Sequence, residues 1–373
     1  MKGSRSILRT MLVGFLAGLI LLLLASPLFA IDKVVVGYQP YDTISYQVAV
    51  NQEMGFWKKY FPKGVEVEFQ PALQGSIIAN NLLAGKQHIG YMSIMPATLA
   101  ATKPEQAYMK MVASLGMSDG MRCSLLLVKK DAPKFKNDEE AVKWLEDKIV
   151  AAPKGSAADQ YLLMLFDKYK VKPKEYLNQS IEVIASNFRV GKLDAAAMWE
   201  PTISRIGDQV GEGLIRIAAT GTCVANPDLG ILIMRGDFVE QNPELAEAWI
   251  KSELDSQLYL LDPKNWKSVT EMVAKYASGM PKRALWYSIY GEISKEVGGT
   301  KEREWKPFIF DEKVMKNITN VYSFLHKEKR TLIGSPLPKT IDDSIARKVL
   351  KERGLKSPIG VIAGQPPSKD PFE

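Results

Sequence analysis

From Lys33 onward the chain alternates short apolar runs with amphipathic stretches, and this alternation restricts it to sheets packed between helices. "KVVVGY" (Lys33–Tyr38) is β-branched with a glycine near its end, the pattern of a buried strand. "SYQVAVNQEMGFWKKYF" follows with helical spacing, and "VEVEF" (Val65–Phe69) alternates as a strand. "SIIANNLLAGK" carries one apolar helical face closed by Gly85. A second cycle begins near Asp131. It reads "DEEAVKWLED" as helix, "KIVAAP" as strand, "SAADQYLLMLFDKY" as helix, and "SIEVIA" and "LDAAAM" as strands. "LGILIMR" (Leu229–Arg235) is again a strand, and from Pro243 long helical stretches dominate. Strand–helix alternation predicts an α/β fold with parallel, doubly wound sheets covered on both faces.

The order of these blocks predicts two lobes crossed twice by the chain. Residues 31–128 and 226–333 form lobe I, with the helical C-terminal part; residues 129–225 form lobe II. Residues 334–373, rich in proline and lysine, read as a loose tail. A cleft between such lobes is the natural place for a small ligand, closing about hinges near Lys129 and Val224.

Residues 1–30 have a different character. Lys2, Arg5 and Arg9 precede the apolar run Met11–Ala25, and "SPLFA" ends at Ala30. This is the pattern of a secretory signal peptide cut after Ala30, which implies export to the periplasm; the run is short for a membrane anchor. Without its three basic residues the formal net charge falls from +7 to +4. So small a charge on so long a chain, with no basic cluster interleaved with aromatics, argues against a nucleic-acid partner. Two cysteines in an exported chain, Cys123 and Cys223, permit one disulfide.

The strand ends carry the candidate site, because ligands of open α/β sheets lie outside the carboxyl ends of the strands. "GYQPYDT" offers Gln39 and Tyr41, "LQGSII" offers Gly75 and Ser76, and "YMSIMP" offers Ser93. "PKGSAAD" repeats the glycine–serine helix start with Gly155 and Ser156. Such starts present backbone N–H groups at the positive end of a helix, suited to a phosphate, sulfonate or carboxylate. "KLDAAAMWEP" delivers Trp199 and Glu200, where Glu200 can meet an amine or repel a second anion. Arg122 can pair with an anionic ligand or with a protein carboxylate.

Catalytic and metal chemistry find little support. "GMSDG" (Gly116–Gly120) matches a nucleophile elbow at Ser118, yet the chain has only two histidines, His88 and His326. Neither HExxH nor C-x-x-C spacing occurs, and there is no P-loop or dinucleotide fingerprint, so no cofactor is expected.

The segments "VVVGYQPYDT", "QGSIIANNLLAGKQHIGYMS", "APKGSAADQYLL" and "GKLDAAAMWEPT", in that order and over roughly Lys33–Asp262, resemble the nitrate/sulfonate/taurine-type periplasmic solute-binding proteins of ABC importers. The resemblance implies a monomeric, two-lobed, type II-like binding protein without enzymatic activity. It implies that the protein closes on a small organic anion and presents it to an inner-membrane permease. Residue by residue it places Gln39, Tyr41, Gly75, Ser76, Ser93, Gly155, Ser156, Trp199 and Glu200 around the solute. Many relatives carry aspartate in place of Glu200, and the part after Asp262 fits less clearly. The alternative reading is an exported enzyme, or a protein of the same fold that handles the pyrimidine precursor of thiamine; the cysteine cluster of that group is absent.

Overall fold

The computed structural model describes residues 31–373. The signal-peptide reading at 1–30, with its cut after Ala30, lies outside the described residues. Four strands open the first sheet: β1 (Lys33–Tyr38), β2 (Glu66–Pro71), β3 (Ile89–Ser93) and β4 (Met109–Ser118). The chain then crosses to a second sheet of β5 (Leu125–Lys129), β6 (Ile149–Ala152), β7 (Glu175–Asn178), β8 (Ala195–Ala196) and β9 (Ile215–Thr220). It returns through β10 (Asp228–Arg235), β11 (Glu302–Lys306) and β12 (Gly360–Ala363). The sheet orders are β12-β11-β4-β10-β3-β1-β2 and β7-β6-β8-β5-β9. This is the two-lobed α/β architecture that the alternation predicts.

Both sheets are mixed rather than wholly parallel, and the crossings explain why. β4 leaves the first lobe at its carboxyl end, so the next strand enters the second lobe from the same side and runs away from it. β5 accordingly pairs antiparallel with β8 and β9, while β6 pairs parallel with β7 and β8. The return is equivalent: β10 pairs antiparallel with β3 and β4, while β1 pairs parallel with β2 and β3.

Several boundaries differ from the sequence reading, and of the strand read at "LDAAAM" only Ala195–Ala196 forms β8. The apolar run Leu125–Lys129 belongs to the second sheet, so the crossings lie at 119–124 and 221–227, and the first is not at Lys129. "SIEVIA" opens a helix, Ile181–Arg189, because the Ser180 side chain caps it by accepting from the Val183 N–H; the strand is the preceding Glu175–Asn178. The segment 334–373 is no loose tail. Its helix Ser344–Glu352 buries Ala346, Val349 and Leu350, and β12 extends the first sheet by pairing with β11.

The second lobe closes on one core around Leu127, Val150, Leu162 and Ala196. The first sheet has a core on each face, one centred on Trp249 of the long helix Pro243–Leu261 and the other on Met111, Ile231 and Tyr322. The carboxyl ends of the strands from both lobes therefore face each other across the crossings.

Candidate ligand-binding cleft

A narrow recess with about 20 Å³ of free space lies between the lobes. It gathers seven of the sequence-predicted residues: Gln39, Gly75, Ser76 and Ser93 from the first lobe, and Gly155, Ser156 and Trp199 from the second. Asp42, Gln74, Pro96, Cys123, Lys154 and Ala157 complete the wall.

Three helices begin at this recess. Gly75–Leu83 and Ile94–Ala101 start after Gln74 and Ser93, and neither residue caps its helix with its side chain. Their first N–H groups keep their capacity to donate. Gly75 is required by close approach, since a Cβ there would stand 2.9 Å from Pro96 Cγ. The third helix, Ala157–Tyr169, is partly self-satisfied: Ser156 Oγ accepts from the Asp159 N–H at 3.3 Å, and Asp159 Oδ2 accepts from the Gly155 N–H at 2.8 Å. Gly155 holds φ +82 to make that turn, a conformation that favours glycine.

Trp199 is 4% exposed and packs in the second-lobe core while also lining the recess. Its indole Nε1–H is buried with no protein acceptor. An unsatisfied buried donor is costly, which makes it a contact waiting for an acceptor. Lys154 borders the recess, is exposed, and holds its Nζ over the Tyr176 ring, 5.3 Å from the centroid. Together these groups favour an anionic head.

Three predicted residues sit elsewhere. Tyr41 turns outward and donates its hydroxyl to the Ser278 carbonyl at 3.1 Å. Arg122 is fully buried beneath the first crossing, where it pairs with Glu304 Oε1 at 2.9 Å. Glu200 faces away from the recess, toward an apolar cavity of about 180 Å³ lined by Ile203, Ile215 and Tyr287. Its carboxylate accepts from the Ser204 N–H at 2.8 Å and Ser204 Oγ at 2.9 Å, and pairs with Arg303 at 3.3 Å. Burial pushes its pKa up while Arg303 pulls it down. A glutamate held in this way anchors the corner after Trp199 and is not available to a solute in the recess.

Sequence reasoning missed Asp42, which is 3% exposed. Its backbone N–H donates to the Gln39 carbonyl at 3.2 Å, closing a turn that brings positions 39 and 42 together and sends Tyr41 outward. Oδ1 accepts from the Ile44 N–H at 3.1 Å and Oδ2 from Gln39 Nε2 at 3.3 Å. Burial pushes the carboxyl up to about 7, and Glu253, buried in the first lobe, is likewise raised to about 7. In both cases the folded state holds a proton that the unfolded chain releases near pH 4. The stability they contribute is therefore complete below that value and is lost as pH rises through about 7. The melting temperature of Asp42→Asn/Glu253→Gln should fall less than that of the parent between pH 5 and pH 8.

The two cysteines are unbonded. Cys123 is buried at the recess, whereas Cys223 Sγ lies 3.7 Å from the Tyr161 hydroxyl, so the permitted disulfide is not formed. Burial pushes the Cys123 thiol well up, and Asp228 and Asp42 add to this, which opposes a nucleophilic thiolate. Ser118 is fully buried and donates to Asp228 Oδ2 at 3.0 Å, so no imidazole activates it. His88 is tied to the Val35 N–H through Nδ1. Among the described residues no group of three His, Cys, Asp or Glu side chains is placed to hold a metal, and no helix is long and apolar enough to cross a membrane.

Side chains also join the lobes beside the recess. Arg330 Nη1 of the first lobe reaches Asp159 Oδ2 at 2.5 Å, and Lys327 reaches Asp167 at 3.0 Å. Asp159 is fully buried and also accepts from the Tyr176 hydroxyl at 2.6 Å. Any separation of the lobes would break the Arg330 contact. If a solute closes the lobes, Arg330→Ala should weaken its affinity about five- to thirtyfold, the effect of roughly 1–2 kcal/mol lost from the closed state. Small-angle scattering should then show a larger radius of gyration without solute; an unchanged radius and affinity would deny the contact this role.

A family model described as the NMT1-like family matches residues 31–274. The taurine-binding periplasmic protein of Escherichia coli (strain K12) is 28% identical over 225 residues, covering 59% of this chain. The match spans 66% of that curated relative's own length. The alkanesulfonate-binding protein SsuA from Xanthomonas axonopodis pv. citri, bound to MOPS, superposes with TM-score 0.66 at 15% identity, covering 83% of this chain and 98% of that one. The periplasmic nitrate-binding protein NrtA from Synechocystis PCC 6803 gives TM-score 0.65 at 14% identity, covering 87% and 89%. At such identities the two structures speak for the fold alone.

Proposed function

The chain belongs to the NMT1-like family, and on that premise we propose that it is the exported solute-binding component of an ABC importer. It captures a small organic anion between its lobes and presents it to a membrane permease. The observation that carries this reading is the recess itself. Two helix starts without side-chain caps, a lysine and an unpartnered indole N–H converge there from both lobes. Backbone and indole donors, with Lys154 beside them, suit a sulfonate, carboxylate or nitrate. The name of the E. coli relative supports a sulfonate head group. Nothing around Ser118 or Cys123 assembles a nucleophile with its base, which favours binding over turnover.

Isothermal titration calorimetry of the chain without its first thirty residues tests the reading against aliphatic sulfonates, nitrate and carboxylates. Saturable binding of at least one of these anions is expected. Binding confined to neutral or purely cationic solutes refutes it.

A further inference from the structure

Glu200, the acid that the sequence offers for an amine, faces away from the cleft; the acid that does line the recess is Asp42. Among the residues of that wall it is the one carboxylate, and Lys154 the one formal cation. The two stand on opposite lobes. Asp42 also keeps spare acceptor capacity: Oδ1 takes one backbone N–H, and Oδ2 takes only a long bond from Gln39. Trp199, 4% exposed, independently marks the recess as a ligand site through its unpartnered Nε1–H.

Resting on the anion-capture reading, we propose that Asp42 is a specificity-determining residue that meets an ammonium group, so that the cleft selects ω-amino organic anions over anions lacking the amine. The head group takes the helix starts, the indole N–H and Lys154, and the ammonium takes Asp42. An anion without the amine leaves Asp42 holding its proton and gains nothing from it.

The surroundings of Asp42 agree with a group that changes state when an ammonium arrives. Burial raises it to about 7, the Ile44 N–H and Arg122 lower it, and Asp228 and Glu304 raise it. The Cys123 thiol and Lys154 complete the charged and titratable groups of the recess. A bound ammonium favours the carboxylate, so amine binding near pH 7 should expel a proton from Asp42.

The test titrates wild type and Asp42→Asn with 2-aminoethanesulfonate and with ethanesulfonate, at pH 7, in two buffers of different ionisation enthalpy. Asparagine keeps an oxygen for the Ile44 N–H, and the melting temperature checks the fold. The expected result is a preference of about tenfold or more for the amino compound in wild type, with proton release on binding. Asp42→Asn should reduce that preference to near one while keeping ethanesulfonate affinity, and should abolish proton release. Equal binding of both probes by wild type, or a preference that survives in Asp42→Asn, overturns the Asp42 assignment alone. Should the variant fold poorly, absence of proton release in wild type still overturns it. Binding of neither probe, nor of nitrate or a carboxylate, brings down the anion reading and the assignment with it.

Discussion

Glu304→Gln should destabilise the protein by about 3–5 kcal/mol, the largest stability effect expected of a single conservative change in this chain. Glu304 is fully buried, and its Oε1 serves both Arg122 at 2.9 Å and Lys306 Nζ at 2.8 Å. Glutamine preserves shape and removes the charge, leaving two buried cations without their common carboxylate. Arg122 cannot shed its proton, but Lys306 can: burial already holds its pKa below the usual lysine range, and Glu304 is the main group opposing that shift. In the variant Lys306 should deprotonate more readily. The penalty should therefore be largest at low pH and shrink as pH rises. Urea denaturation from pH 6 to pH 9 measures both magnitude and slope. A loss below about 1 kcal/mol at pH 6 would mean that water or relaxation screens the trio, and that these charges do not hold β11 to the crossing.

This trio also marks where the sequence stops being informative. Arg122 reads equally well as a ligand contact or as the partner of a protein carboxylate, and its partner lies 182 positions away on a strand that pairs with β12. No local pattern announces so distant a pairing. By contrast, β1 is legible to its boundaries because Lys33–Tyr38 must be β-branched to be buried on both faces. The helix starts at Gly75 and Ala157 are legible because a tight approach and a positive φ each call for glycine. Asp42 escaped notice for a geometric reason. In "GYQPYDT" the amide and the aromatic look like the ligand-binding groups, but the turn closed between positions 39 and 42 points Gln39 and Asp42 one way and Tyr41 the other. β12 and the helix before it were hidden by composition, since proline and lysine surround two short elements whose apolar positions become clear only against β11 and the long helix. What the sequence conveys is local chemistry; which of those groups share a wall is decided by contacts between segments far apart in the chain.

The Trp199–Glu200 step shows the same division, and it sets the second large effect. Adjacent residues a little beyond a short strand project to opposite sides of the wall, the indole to the recess and the carboxylate to Arg303 and Ser204. Trp199 thus serves the second-lobe core and the candidate site together, so Trp199→Ala confounds the two. It should cost about 3–5 kcal/mol of stability as a deleted core aromatic, and should weaken solute binding as well. Trp199→Phe separates the roles. The ring still fills most of the core volume, while the unpartnered Nε1–H is gone. If that donor meets the solute's anionic head, its loss should cost about 1.5–3 kcal/mol of binding, roughly ten- to a hundredfold in affinity. The same substitution should leave the folded state close to the parent, because removing an unsatisfied buried donor also removes its desolvation cost. Calorimetry against the best-binding sulfonate, paired with thermal melts, decides the matter. A phenylalanine variant with unchanged affinity would confine Trp199 to packing and leave the head group to the helix starts and Lys154. A variant that melts far below the parent would instead show that core volume outweighs the donor at this position.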